Sequence, residues 1–210
     1  MPLGPLTLQA HYLADRQQPA RGQLQLASAR LDLLDGRLEV RPGQYRIASD
    51  TIIPCTLQGL DLARLLQAYP ADGLQGSGLL DGHFQITGLP EAPRIDQGQL
   101  AARGTGLLRI HPPRLAAMAR DNPAMALVSQ ALEDFHYDRL SGGFQYDTRG
   151  QLQLALQLHG RNPALQEGRP INVNIRLEEN LPRLLTSLQL SDRVSEKIRQ
   201  RVNDQLQSAP

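Results

Sequence analysis

Tryptophan is absent from this 210-residue chain, aromatic residues make up only 4 %, and cysteine occurs once, at Cys55. A single cysteine excludes an intrachain disulfide and any cysteine-based zinc cluster. It leaves the compartment open, since it suits the cytosol and also a periplasmic domain built without disulfides. Charge of either sign is not in excess: 22 basic residues face 21 acidic ones, for a net charge of +1. That balance gives no electrostatic footprint for nucleic acid or for an acidic substrate. Lysine is nearly missing too, with Lys197 alone. No apolar run reaches the length of a membrane-spanning helix. The opening Met1-Pro-Leu-Gly-Pro-Leu has neither a basic n-region nor an apolar h-region. The chain is expected to be cytosolic or a piece of a longer protein. Its abrupt opening on a strand-like pattern favours the second.

Motifs of chemistry are also lacking. The five histidines, His11, His83, His111, His136 and His159, are far apart, with no HExxH or His-x-His spacing. They do not predict a metal site. Gly76-Ser77-Gly78 is not a nucleophile elbow, and its apolar follow-on reads as the start of a strand. Gly104-Thr105-Gly106 lacks the lysine and third glycine of a phosphate loop. Glu178-Glu179 reads as charge at a strand-to-helix junction, favoured by a helix N-terminus. Cys55 reads as a small buried residue. No catalytic residue, metal or cofactor is expected, and the chain does not read as an enzyme.

What is present is alternation. Forty per cent of residues are hydrophobic, enough for a core. Leu6, Leu8, Ala10 and Tyr12 alternate with polar residues; so do Leu24 and Leu26, then Leu31 and Leu33 after a slip that suggests a bulge. Leu38 and Val40, and Tyr45 and Ile47, follow the turn signals Asp35-Gly36 and Pro42-Gly43. Phe84 and Ile86 follow Asp81-Gly82, read as a further turn; Leu108 and Ile110 follow Gly104-Thr105-Gly106. The tetrapeptide Leu-Leu-Asp-Gly occurs at 33–36 and 79–82, a weak sign of a repeated hairpin. The cleanest strands carry Leu152, Leu154, Leu156 and Leu158, and then Ile171, Val173, Ile175 and Leu177. They predict long antiparallel strands with one apolar face.

Helical spacing appears in places. Asp61 is a candidate N-cap for Leu62, Leu65, Leu66 and Tyr69. Pro113 would open a short helix with Leu115 and Met118. A second helix from Pro123 would carry Met125, Val128, Leu132 and Phe135 on one face. Asn180 would cap a helix with Leu181, Leu184, Leu185 and Leu188, and Val194, Ile198 and Val202 would follow on another. Arg193, Lys197 and Arg201 flank that last stripe, as a membrane- or partner-facing set diluted by Asp192, Glu196 and Asp204.

The fold class expected is therefore α+β and β-dominated: one extended, curled antiparallel sheet with a few helices, one of them C-terminal. It is read as a single unit over 1–210, β-rich over 1–112, with a helical insertion at about 113–135, strands over 136–178 and a helical tail over 180–206. An all-aliphatic sheet face has to be buried. It is covered either by the chain's own elements, as an ordinary core, or by acyl chains. Aliphatic side chains suit acyl chains because they offer apolar area without directional polar groups. On that reading Leu152, Leu154, Leu156, Leu158, Ile171, Val173, Ile175 and Leu177 line the groove, and the helix at 123–135 caps it.

Longer stretches carry a resemblance. The segments Gly59-Leu-Asp-Leu-Ala-Arg-Leu-Leu-Gln-Ala-Tyr69 and Gly73-Leu-Gln-Gly-Ser-Gly-Leu-Leu-Asp-Gly-His-Phe-Gln-Ile-Thr-Gly88 resemble the repeating pattern of AsmA-like proteins. The segments Gly98-Gln-Leu-Ala-Ala-Arg-Gly-Thr-Gly106 and Pro170-Ile-Asn-Val-Asn-Ile-Arg-Leu-Glu-Glu-Asn-Leu-Pro-Arg-Leu-Leu185 look like the C-terminal region of the YdbH family, also known as a dicarboxylate transport domain. The resemblance implies a Gram-negative envelope protein anchored at its N-terminus in the inner membrane. It implies a periplasmic sheet curled into a groove for phospholipid, and a small YnbE-type outer-membrane lipoprotein as partner. It brings no catalytic residues. Two other readings stay open: a scaffold module that pairs with a partner at a sheet edge, and an accessory domain of a dicarboxylate transporter, which would need convergent arginines.

Overall fold

A computed structural model describes residues 3–13, 22–46, 48, 50–68, 73–89, 91–111 and 122–180. Tyr69, Ile47, the helix placed at Pro113 and the C-terminal helices with Arg193, Lys197 and Arg201 lie outside these residues. The described residues fold as a strand-dominated, unclosed antiparallel sheet with two α-helices. In chain order the elements are β1 (Leu3–Leu13), β2 (Gln23–Leu33), β3 (Gly36–Val40), β4 (Gly43–Arg46), β5 (Ile53–Asp61), α1 (Leu62–Ala68), β6 (Leu74–Ser77) and β7 (Leu79–Ile86). Then come β8 (Ile95–Ala102), β9 (Gly106–Ile110), α2 (Pro123–Glu133), β10 (Phe135–Tyr146), β11 (Gln151–Arg161) and β12 (Ile171–Asn180). The sheet order is β1-β2-β3-β5-β7-β8-β10-β11-β12; β4 pairs with β2, and β9 joins β6 to β10.

Local chemistry sets the turns. The predicted bulge falls at Ala27 of β2: Gln9 pairs with Ser28 and Ala10 with Leu26, so Ala27 is the extra residue. The β2–β3 hairpin turns on Leu34 and Asp35, both at positive φ (50° and 61°). A two-residue turn of this kind matches the twist of the flanking strands. A leucine is strained there. Leu34 tolerates it because its side chain is buried in the core. Asp147 organises the β10–β11 turn by accepting from Arg149 N and Gln151 N, both at 2.9 Å.

Two expectations are corrected here. Asp81 and Gly82 do not form a turn; they lie within β7, paired with Ala101 and Leu100 of β8. The repeated tetrapeptide is therefore a turn once and a strand once, because the second copy has partners on both sides. The helix expected over 123–135 ends at Glu133. Asn122 caps it, accepting from Ala124 N and Met125 N, with Pro123 in the first turn as predicted. Phe135 instead opens β10 and pairs with Leu108, fully buried. Total burial against β9 outweighs continuation of the helical stripe. Val128, expected inward, is exposed; Leu132 packs inward as expected, together with Ala131. Asp61 caps α1 as expected, accepting from Arg64 N at 3.0 Å.

β6 and β7 are successive parts of one long strand, broken at Gly78 (φ 131°); β8 and β9 are likewise broken over Arg103–Thr105. The outer parts pair with each other as a β6–β9 ribbon. α1 packs on β6, and α2 on β9. Gly76 admits α1 closely: a β-carbon there would come within 2.8 Å of a Leu66 methyl. The core gathers under these helices, with Leu60, Leu62, Leu80, Leu108, Leu132, Phe135, Tyr137, Leu140, Leu158 and Val173. Tyr137 is buried over Gly106 and donates its hydroxyl to Ser77 O at 2.8 Å.

Candidate functional site

Registering the strands turns separate alternating patterns into continuous rows. One row runs Leu6–Leu31–Leu38–Leu57 over β1, β2, β3 and β5, then Gly82–Leu100–Gly142–Leu156–Ile175 to β12. The adjacent row on the same face runs Leu8–Ala29–Val40–Cys55, then Phe84–Gly98–Phe144–Leu154–Leu177. Neither row contains a charged or hydrogen-bonding side chain other than the Cys55 thiol. Each crosses nine strands. At the usual strand spacing that is roughly 38 Å of aliphatic surface, edge to edge and perpendicular to the strands.

The opposite face is polar over most of its width. The row between these two on that side is Thr7–Arg30–Glu39–Thr56–His83–Gln99–Gly143–Ala155–Arg176. A hollow of about 810 Å³ on this side is lined by Thr56, His83, Gln99, Ser141, Ala155 and Gln157 among others. The polar face is thus free to be hydrated, which leaves the aliphatic face as the one that needs cover.

Burial of the aliphatic face is graded along the strands. Next to the helices the rows close into core: Leu158 is 2 % exposed and Val173 8 %. The Leu57–Leu100–Leu156–Ile175 row is half-buried and packs against that core. One row further out, Leu154 is half-buried and Leu177 is 36 % exposed. At the β1 edge Leu6 and Leu8 are exposed, at 67 % and 59 %. The face is therefore roofed along one margin and uncovered along the other.

The eight predicted lining residues come together on this face. Leu154 pairs with Leu177, Leu156 with Ile175, and Leu158 with Val173; Ile171 faces Gly160, and Leu152 faces Glu179. The roof divides them. Leu158 and Val173 are core; Leu154 and Leu177 stand on the open part. The rest of the face came from strands whose alternation is visible in sequence but whose register is not. Ile53 and Leu57 carry the same period and are missing from the sequence reading, which takes Cys55 between them only as a small buried residue. Glu178 and Glu179 are strand residues of β12, whose pairing with β11 continues to Asn180; the helix expected after them lies outside the described residues.

The electrostatics concentrate where the strands bend. Asp81 accepts from Arg103 Nε at 2.7 Å and from Gly59 N at 2.8 Å. The Arg103 guanidinium and, after burial is offset, the Gly59 amide hold its carboxyl below the usual carboxylate range. Asp134 is likewise held low by hydrogen bonds from His136 and Arg109. Arg30, Arg37, Arg64 and Arg94 also pair with carboxylates of this chain. Such pairing lowers the pull of these arginines on an external anion. Among the described residues no group of three or more His, Cys, Asp or Glu is placed to hold a metal ion. No helix among them is long and apolar enough to cross a membrane.

A family model described as "YdbH-like: Intermembrane phospholipid transport protein YdbH" matches residues 1–203. No curated protein and no solved structure gave a match.

Proposed function

We propose, from the premise that this chain belongs to the YdbH-like family of intermembrane phospholipid transport proteins, that its aliphatic face is the surface along which acyl chains travel. The observation that carries the reading is the continuity of two apolar rows over nine strands beside a roof that covers only one margin. A lipid tail laid on the open part gains about 0.8 kcal/mol for each methylene removed from water. The gain varies little with position along the rows, because every station is apolar. A surface of this kind holds a chain without fixing it, which suits passage rather than storage. Nothing in it calls for a nucleophile, acid or base, so the role is that of a passive, non-enzymatic conduit.

On this reading the lining residues are those of the open part, Leu154, Leu156, Ile175 and Leu177, extended by Leu38, Val40, Leu57 and Leu100. Leu158 and Val173 hold the roof to the sheet instead. The domain would work in the periplasm, as part of a protein anchored in the inner membrane. A small YnbE-type lipoprotein of the outer membrane would add a strand to an edge of the sheet. Among the described residues β1 and β12 are each paired on one side only, which supports that mode.

Photo-crosslinking residues placed across both faces test the reading. Adducts with phospholipid are expected at positions 38, 100 and 154 and not at 56, 83 and 99. The double variant Leu154→Asp/Leu177→Asp should keep its fold, since both side chains stand outside the core, and lose the adducts. Equal labelling of the two faces, or lipid retained by the double variant, would overturn it.

A further inference from the structure

The three central strands carry an unusual exchange of large and absent side chains. Along one row β7, β8 and β10 present Phe84, Gly98 and Phe144; along the next they present Gly82, Leu100 and Gly142. Glycine inside a strand contributes no packing, and it marks places where something else comes close to the backbone. At Gly98 that something is the ring of Phe144. It reaches across from β10 to lie on the Gly98 backbone, where any β-carbon would collide with it. It also meets Phe84 edge to face, with centroids 5.6 Å apart and planes at 65°. At Gly142 a Leu156 methyl leans over from β11, 2.8 Å from where a β-carbon would stand. Two of the three phenylalanines of the chain are thus spent on one station in the middle of an otherwise aliphatic face.

We infer that Phe144 is a gate in the lipid track, a proposal that rests on the reading of this face as the path of acyl chains. With the ring down on Gly98, Phe84 and Phe144 form a rib between the β1–β5 half of the track and the β11–β12 half. On its roofed side the rib leaves no way round, since the next row packs against the core and the row beyond it is roofed by the helices; on the open side Ile86 and Tyr146, two residues further along β7 and β10, flank it. Phe144 is itself only half-buried, so its ring has room to swing up on the open side. Lifting it uncovers the bare backbone of Gly98 and leaves a low floor over which a chain can slide. No polar group anchors the ring, so arrival of an acyl chain trades one apolar contact for another. Gly98 is what makes the lowered position available.

The absence of tryptophan provides the assay. Val40→Trp on β3 and Leu177→Trp on β12 place one reporter on each side of the rib, in the row that contains Phe144. The full chain is mixed with phosphatidylglycerol vesicles whose acyl chains are brominated, and the quenching rate is followed at each reporter. With the gate in place the two halves fill at rates that differ by about threefold or more. Gly98→Ala drives the ring off its seat by a single methyl group, and Phe144→Leu removes its reach while keeping the site apolar. Either change should bring the two rates together by speeding the slower one, with the melting temperature used to select variants that fold. Quenching at both reporters with a rate ratio unchanged by either substitution would overturn the gate and leave the track standing. Absence of quenching at both would overturn the track itself, and the gate with it.

Discussion

Cys55 stands in the aliphatic row between Val40 and Phe84, 3 % exposed, with its thiol directed at Ile53 O at 3.7 Å. Burial pushes the thiol up to about 11, so at pH 8 roughly one thiol in a thousand is ionised. A thiol reagent at pH 8 is expected to label the folded chain about a hundredfold more slowly than the urea-unfolded chain. Labelling at similar rates would show that the thiol is not buried among its neighbours in solution. Its burial was legible from composition, since a lone cysteine among aliphatic residues is usually a small core residue. Its position in the row was not, because that depends on which residues of β3 and β7 lie opposite. Leu34 makes the same point from the other side. The signal Asp35-Gly36 located the turn, but the residues at positive φ are Leu34 and Asp35. Only the core beneath Leu34 explains why a leucine holds that place.

Strands of this sheet bend where Asp81 holds them. Its carboxylate joins the β5 bulge at Gly59 (φ 65°) to Arg103, the residue at the β8–β9 break. The bend turns the β6–β9 ribbon beneath α1 and so positions the roof. Replacement Asp81→Asn keeps the shape and removes the charge. A loss of about 1 kcal/mol is expected, a fall in Tm of about 2–4 °C. The folded carboxyl lies below its unfolded value. Its contribution is therefore complete above the unfolded value, near pH 4, and is lost as the pH falls through the folded one. The gap in Tm between the native chain and the variant should accordingly be steady near neutrality and close in acid. A gap that fails to narrow as the pH is lowered through the carboxylate range would refute this account of the bend. In sequence Asp81-Gly82 reads as a turn because the pair is a common turn signal. The pattern could not show that Leu79 to Ile86 has partners on both sides.

Taken whole, the molecule is a two-faced sheet whose strands follow one another nearly in chain order from β1 to β12. Central strands are hydrogen-bonded on both sides and edge strands on one. Amide exchange should therefore be slowest in β8 and β10 and faster in β1 by about a hundredfold or more. Equal protection of β1 at all protein concentrations would contradict its one-sided pairing. The sequence by itself determined the strand-rich class, the aliphatic and polar alternation of most strands, the Asp61 cap and the helix start at Pro123. All of these depend on short periods and on residue type, which a linear reading registers directly. Only the tertiary structure decided that the separate patterns join into two unbroken rows, that α1 and α2 roof one margin, and that Phe135 belongs to a strand. It also decided which predicted lining residues are core. These outcomes depend on register and on which elements meet. Both are fixed by pairings between residues far apart in the chain, where the same two-residue period fits several alignments and packing selects one.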